Sequence, residues 1–485
     1  MSVDTKTLDA AVEHHQNGEL AVAVEIYQEI LSHDPDNADA WHLMGVAAHQ
    51  QGNNELARTL IQNAIGLNSK ISDFHSNLGM VQRALGDDED AETAFRRAIE
   101  NNPAHAKALS NLAGLLRSGG QFSVAVDYAR RAVQAEPTDP EVHINLGNAL
   151  KDLGGEWVED AVRSYRQAIG LTSNYALAHW NLSLALLSLG HYEDGFAEMK
   201  WRWLWSGFPA QARDFRQPNW QKDEDISGQR ILLHAEQGLG DTVHFIRYGE
   251  LVRALGATVI FECPAPLGPL ITETALVDKV VSVGDALPDF DCHAALLDLP
   301  HLCNTTEANI PADVPYLNVP AELAAKWRKR VAQSDGLKIG LNWSGNSESP
   351  VEQFRALPPD DLAALAALEG VSWFSLQKGD PAQDVPALSS KFKLIDTGSE
   401  ALVETAGLIA ALDLVITSDT AIAHLAGALG KPVWVLLHHA PDWRWLTTGS
   451  GNPWYPSARL FRQLQPGAWA EVIAEVMSAL IAEVG

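Results

Sequence analysis

Four short stretches of the chain carry side chains able to do chemistry. The first, Gly238-Leu239-Gly240-Asp241-Thr242, follows the apolar run RILLHA and opens a helical stretch. Gly238 and Gly240 permit close backbone approach. An aspartate at a helix start gains from the helix dipole and stays ionised, as a general base must. The plain alternative for Asp241 is an N-cap, a position for which Asp is preferred. No third glycine follows at the required place, so this is not a dinucleotide fingerprint. The second stretch, Trp343-Ser344-Gly345-Asn346, is a tight turn after a strand, suited to a phosphate or a sugar, with Arg355 in the loop beyond. In the third, Gln377 and Lys378 end another strand, where they are candidates for base or phosphate contact, Lys378 being otherwise a surface lysine. The fourth, SDTAIAH from Ser418 to His424, begins a helix after LVIT. Backbone N–H groups at such a start, with the Ser418 and Thr420 hydroxyls, can cradle a diphosphate. Asp419 would then face sugar or ribose hydroxyls, and His424 is grouped with the same contacts. Trp443, Arg444 and Trp445 either shape a cleft floor or, as tryptophans in such numbers more often do, belong to a core.

Two patterns are decoys. Asp289-Phe290-Asp291 has the spacing of a metal-binding carboxylate pair but lies in a loop entering a strand. His438 and His439 are adjacent, so on a strand they point to opposite faces and chelate one metal poorly. No metal site and no cofactor are expected.

The elements that position these residues alternate between short β-rich runs and helices from Arg230 onward. That alternation predicts parallel sheets with helices on both faces. One set covers residues 230–320 and a second covers 321–465, so two doubly wound lobes are expected, with ligands at the carboxyl ends of their strands. A helix is expected from Asp241 to Leu255. A last helix within residues 466–485 is expected to cross back onto the first lobe. Residues 201–229 form a Trp-rich joint, in which Trp201, Trp203 and Trp205 line a strand face or plug the preceding helical repeat.

Residues 4–200 repeat. Asn77, Asn111, Asn145 and Asn181 are spaced 34, 34 and 36 apart, and Leu78, Leu112, Leu146 and Leu182 follow them. This period is that of tetratricopeptide (TPR) helix pairs, and the segment resembles that family over about six repeats, the first beginning near Asp4. Such solenoids present a concave surface to another protein. The asparagines fall on the first helix of each pair, where an amide ladder could hold a peptide backbone regardless of sequence. Asparagine is also common at this slot in TPRs that hold nothing.

The stretch ILLHAEQGLGDTVHFIRY resembles the first strand-turn-helix of bacterial TPR-linked glycosyltransferases related to the heptosyltransferases (glycosyltransferase family 9). LKIGLNWSGN, FRALPPDDLAAL, SWFSLQKGD, LVITSDTAIAHLAGALGKPVWVLL and DWRW are similar to their second lobe. The resemblance implies a two-lobed GT-B fold and a nucleotide-sugar donor in the second lobe. It implies Asp241 as general base, SDTAIAH at the donor diphosphate, and a protein acceptor on the TPRs; flagellin is modified by members of this group. A basic residue near Arg355 contacts the donor phosphate in relatives. Here that loop, SESPVEQFRAL, is more acidic than theirs. The reading that follows is an inverting, metal-independent transferase from nucleotide sugar to protein. The alternatives are an inactive TPR adaptor with a degenerate transferase fold, and a transferase to a saccharide or lipid.

Bulk properties narrow the partners. The net charge is −27, as −14 over residues 1–200 and −13 over the rest. With no basic stripe, nucleic acid is not an expected partner. No run of eighteen apolar residues exists, so no membrane span is expected. The N-terminal stretch lacks the pattern of a secretory signal. Three cysteines without a CxxC pair suit a reducing cytoplasm.

Overall fold

The computed structural model describes residues 7–398 and 401–484; Asp4, where the first repeat was placed, and Gly485 lie outside them. The chain divides into two compact units, Met1–Leu153 with Arg163–Asn174, and Gly154–Val162 with Tyr175–Gly485. The last helical hairpin belongs to the same unit as the α/β region.

Among the described residues, twelve helices make the repeats: α1 (Leu8–Gln16), α2 (Leu20–His33), α3 (Ala38–Gln50), α4 (Asn54–Leu67), α5 (Ser72–Leu85), α6 (Asp88–Asn101), α7 (Ala106–Ser118), α8 (Phe122–Ala135), α9 (Pro140–Leu153), α10 (Val158–Leu171), α11 (Ala176–Ser188) and α12 (Tyr192–Met199). The seam of a pair is set by a small residue facing a large one. A Cβ on Gly79 would meet the Phe95 ring at 2.6 Å, and one on Gly147 the Tyr165 ring at 2.5 Å. A second period reinforces the first. Gly18, Gly52, Gly86, Gly120, Gly154 and Gly190 all take positive φ in the turn between the helices of a pair, a conformation that costs glycine least. The fifth turn holds the two extra residues as a short 3-10 turn, Gly155–Trp157.

In the second unit, Trp201 stacks on His179 of α11 with ring centres 3.9 Å apart, and Trp205 and Phe208 lie against Trp180. The tryptophans of the joint thus cover the last hairpin. The segment Lys200–Leu204 is a 3-10 turn and not a strand.

Two all-parallel sheets follow. The first holds β1 (Arg230–His234), β2 (Thr258–Cys263), β3 (Lys279–Ser282) and β4 (Cys292–Ala295), in the order β3-β2-β1-β4. The second holds β5 (Leu337–Asn342), β6 (Val371–Ser375), β7 (Leu394–Ile395), β8 (Leu414–Ser418), β9 (Val433–Leu437) and β10 (Ala458–Arg462), in the order β10-β9-β8-β5-β6-β7. Numbered within itself, the second sheet has the doubly wound order 3-2-1-4-5-6, and its strand order reverses between β5 and β8. The first sheet reverses between β1 and β4 in the same way.

Three elements differ from the sequence expectation. The helix expected from Asp241 to Leu255 is two helices, Leu239–Phe245 and Tyr248–Ala254. β10 was not anticipated, because its short run ARLF sits among prolines and turn residues. The C-terminal helix, Trp469–Val484, does not return to the first sheet: Trp469, Val472, Ile473, Val476 and Leu480 are buried with Ile339, Leu341 and Ile416 of the second sheet. Its apolar stripe dictated burial but not the partner.

Candidate functional site

Each sheet brings its turn of interest to its own switch point. In the first, the loop after β1 leads through Glu236 to Gly238, which is the N-cap of helix Leu239–Phe245. Asp241 is therefore not the cap; it lies in the first turn, with 26% of its side chain exposed. Its Oδ1 accepts from Arg444 Nη2 at 2.5 Å. Burial raises its pKa above the usual carboxylate value and the Asp442 charge adds to this, while Arg444 and the backbone N–H groups of Gly238 and Asp241 pull the other way. Arg444 is itself buried and is oriented by Asp442, which accepts its Nη1 at 2.8 Å and its backbone N–H at 3.0 Å.

Gly240 faces the start of the next lobe's helix. A Cβ there would lie 3.1 Å from the His424 ring and 3.4 Å from Ala421 Cα. The missing side chain lets the helix bearing Asp241 abut the start of helix Ala421–Ala428, whose N-cap is Thr420. His424 and Trp443, both expected at the donor, are buried in the seam between the two sheets' helices. His424 Nδ1 meets the Tyr455 hydroxyl at 3.1 Å, as does His244 Nδ1 from the other side. Burial holds both imidazoles well below their ordinary pKa, hence neutral. Trp443 packs edge-on to Phe196 and beside Phe245.

The turn after β5 is a network of neutral groups. Asn342 Oδ1 accepts from Thr417 Oγ1 at 2.9 Å and Thr420 Oγ1 at 2.8 Å. Gln377 Oε1 accepts from the backbone N–H of Trp343 and of Ser344 and from Asn342 Nδ2, each at 3.0 Å. Gln377 Nε2 donates to the Ser344 and Lys378 carbonyls. Gln377, expected as a donor contact, thus spends its amide on shaping the turn. The N–H of Gly345 is taken by Glu352 Oε1 at 2.7 Å. So the Trp343–Gly345 backbone is not an open phosphate cradle: the chain's own side chains occupy its donors. Trp343 is buried, while Asn346 is exposed and caps the N–H of Glu348.

What stays open lies at the edge of this network. Ser418 Oγ is fully buried and has no hydrogen-bond partner among the described residues. Arg355 engages Glu352 through Nε at 2.6 Å, and its two terminal nitrogens make no hydrogen bond to the described residues. Asp419 is buried; its pKa is raised to about 6 by burial and by the Asp442 charge, against the pull of Trp445, Arg355 and Arg444. Asp241, Asp419, Asp442, Arg355 and Arg444 thus form one electrostatic group spanning both switch points. Arg444 is a candidate from sequence only as part of the Trp443–Trp445 cleft floor, and not as a partner of Asp241; Asp442, Asn342 and Glu352 carry no such signal.

The remaining candidates separate. Asp291 pairs with Arg230 at 2.8 Å, an ordinary surface ion pair. In the repeats, all four asparagines are half-buried. Asn77 Nδ2 donates to His42 Nε2 and Asn145 Nδ2 to Ser110 Oγ, both at 2.7 Å, so two rungs stitch neighbouring repeats. Asn111 makes no hydrogen bond through its amide among the described residues.

Comparison with known proteins finds the repeats and a transferase segment. Residues 14–76 and 76–140 match tetratricopeptide repeat models, and residues 386–465 match glycosyltransferase family 9 (heptosyltransferase). The chain joins TPR repeats to a glycosyltransferase family 9 segment. It is 29% identical over 341 residues to "Protein FlbA" of Caulobacter vibrioides, across 64% of this chain and 56% of that protein, so it spans about half the length of that curated relative. Among solved structures it is similar to the MamA protein (20% identity, 36% of this chain and 96% of that one, TM-score 0.30). It is also similar to YrrB, described as a TPR protein with an unusual peptide-binding site (20%, 36% and 91%, TM-score 0.29). No helix among the described residues is long and apolar enough to cross a membrane.

Proposed function

We propose that this chain is a glycosyltransferase of GT-B architecture that moves a sugar from a nucleotide-sugar donor to a protein acceptor bound by the TPR repeats. One observation carries the reading: Asp241, at the switch point of the first sheet, stands on a helix that abuts the N-terminus of helix Ala421–Ala428, at the switch point of the second. A base and an anion site from two sheets are brought together, as transfer between two substrates requires.

In this scheme Asp241 takes the proton of an acceptor hydroxyl. The oxygen attacks the anomeric carbon from the face opposite the diphosphate, and the sugar–phosphate bond breaks with its electron pair leaving on the diphosphate. The configuration inverts. Ser418 Oγ, the helix N-terminus and the open guanidinium of Arg355 receive the leaving charge, so no cation is assigned a role. Asp241 in its pair with Arg444 is an unready base, and the acceptor must displace that contact. The same pair favours the rival reading, an adaptor that binds but does not turn over.

A thermal-shift screen against nucleoside diphosphates followed by donor hydrolysis separates the two. Ligand-raised melting temperature with hydrolysis supports the enzyme, because binding stabilises the folded state by mass action. Ligand binding with no turnover in any donor supports the adaptor. Activity that survives EDTA is expected; complete loss restored by Mg²⁺ or Mn²⁺ would reject the metal-free scheme.

A further inference from the structure

The loop Ser347–Leu357 is acidic in sequence, yet its buried carboxylate does not repel an anion from the turn. Glu352 points inward, 7% exposed, and divides its two oxygens between two tasks. Oε1 accepts from Ser344 Oγ and from the Gly345 N–H, both at 2.7 Å, closing the turn after β5. Oε2 accepts from Arg355 Nε at 2.6 Å. A guanidinium gripped at Nε keeps its two terminal nitrogens as a fork, the geometry that pairs with phosphate oxygens through two parallel bonds. Gly345 is tight against this arrangement, since a Cβ there would lie 2.6 Å from Arg355 Nη2. The same turn is tied through Asn342 Oδ1 to Thr420 Oγ1, the cap of the helix whose N-terminus would hold the other phosphate oxygens. One continuous set of hydrogen bonds therefore runs from that helix cap to Arg355.

We infer that Glu352 is a positioning residue that aims the open fork of Arg355 at a diphosphate seated by Ser418 and the start of helix Ala421–Ala428. This rests on the donor-site reading above. Glu352 acts through Arg355 and does not touch the ligand. An arginine left untethered in this loop would have to be ordered on binding, at a cost in side-chain entropy. The tether removes that cost in advance.

Glu352→Gln separates the two tasks. Its amide oxygen can still accept from Ser344 and Gly345, but its NH₂ would face Arg355 Nε, donor against donor. The probe is inorganic pyrophosphate, titrated calorimetrically into the full chain, E352Q, R355A and E352Q/R355A. The expected result is a Kd weakened roughly tenfold or more in each single variant, as loss of a charged hydrogen bond implies. The double variant should be no weaker than R355A, and the melting temperature of E352Q should stay near wild type. Exchange of the Arg355 Nε–H, followed by ¹⁵N NMR, should quicken in E352Q. Unchanged or tighter pyrophosphate binding by E352Q would overturn the inference. So would additive losses in the double variant, a melting temperature that falls in step with affinity, or unaltered Nε–H exchange. If wild type and R355A bind pyrophosphate equally or not at all, the donor-site reading fails. The exchange measurement then still decides whether Glu352 holds Arg355.

Discussion

At the carboxyl edge of the second sheet, Asn342, Gln377, Thr417 and Thr420 satisfy one another with neutral hydrogen bonds. At the same edge of the first sheet the groups are titratable and incompletely satisfied. Glu236 Oε2 and both ring nitrogens of His234 have no hydrogen-bond partner among the described residues, and Asp241 is held above its ordinary pKa. Asp419 beside the second sheet's four neutral groups is titratable, but those groups hold their shape without gaining or losing protons, which suits a surface against which a donor is placed. Buried, unevenly partnered carboxylates are poised to exchange protons, which suits the side where an acceptor hydroxyl loses one. On the proposed function, the contrast fits donor binding at the second sheet and proton transfer at the first.

The largest expected effect breaks the proton side alone. Asp241→Asn should fold normally and lose turnover by about 10²–10⁴-fold, the usual worth of a general base. The cap is Gly238 and not Asp241, so little stability should go with it. Steady-state rates beside denaturation curves check this. A loss of stability as large as the loss of rate would make Asp241 structural, and near-wild-type turnover would remove it from the mechanism.

The next effect compares the two edges by stability. Arg202 is wholly buried between Glu236, at 2.8 Å, and Asp298, at 2.7 Å. Arg202→Met would leave the buried Glu236 and the partly exposed Asp298 without their cation, at a cost of about 3–5 kcal/mol. Gln377→Leu would strand neutral donors at about 1–3 kcal/mol. Urea unfolding should rank them in that order. The reverse order would mean that the amide network, and not the charged triad, holds the α/β region together.

Much of this contrast could not be read from the sequence. GLGDT was legible because glycine and aspartate punctuate a strand-to-helix turn, and the TPR ladder was legible because a period survives any uncertainty in packing. The Asp241–Arg444 pair joins residues 203 apart, which no local pattern records. The bond from Gln377 to the Trp343 turn depends on the register that sets Leu341 beside Ser375. Glu352 read as one more acid in an acidic loop, because its inward direction is fixed by Ser344 and Gly345. Trp443 and His424 stand in the right motifs, yet the packing of one sheet's helices on the other buries them.

The third prediction tests pH. His234 is buried and its pKa is lowered to about 3 by burial, with His293, Arg213 and Arg202 adding to the effect. A depressed folded-state value contributes stability that is full above about 6.5 and is lost as pH falls toward the lowered value. Asp419 has the opposite sign: its contribution is full below about 3.8 and lost as pH rises through about 6. Below pH 6.5 the cost of His234 should grow, its slope rising toward a limit of about 1.4 kcal/mol per pH unit near pH 5. Denaturation at several pH values should show a shallower acid loss in His234→Gln than in wild type. Equal slopes would mean that His234 is not buried as a neutral ring.

The smallest effects lie in the repeats, where satisfied and open amides can again be set against each other. Asn77 and Asn145 already spend an N–H on His42 and Ser110, so alanine there should cost stability as well as any acceptor contact. Asn111 spends nothing on the described residues. Asn111→Ala should therefore leave unfolding unchanged and raise only the acceptor's KM, by the worth of one hydrogen bond, about 0.5–1.5 kcal/mol. An amide that grips backbone does not read side chains, so the shift should be alike for acceptor peptides of different sequence. Donor hydrolysis without acceptor should be untouched. A variant with Asn77, Asn111, Asn145 and Asn181 all changed to alanine should show the effect several-fold larger. If that variant folds and keeps its KM, the ladder is stitching between repeats and the acceptor is held elsewhere. If only Asn77→Ala and Asn145→Ala raise KM, and in step with their loss of stability, the groove needs its shape and not its amides.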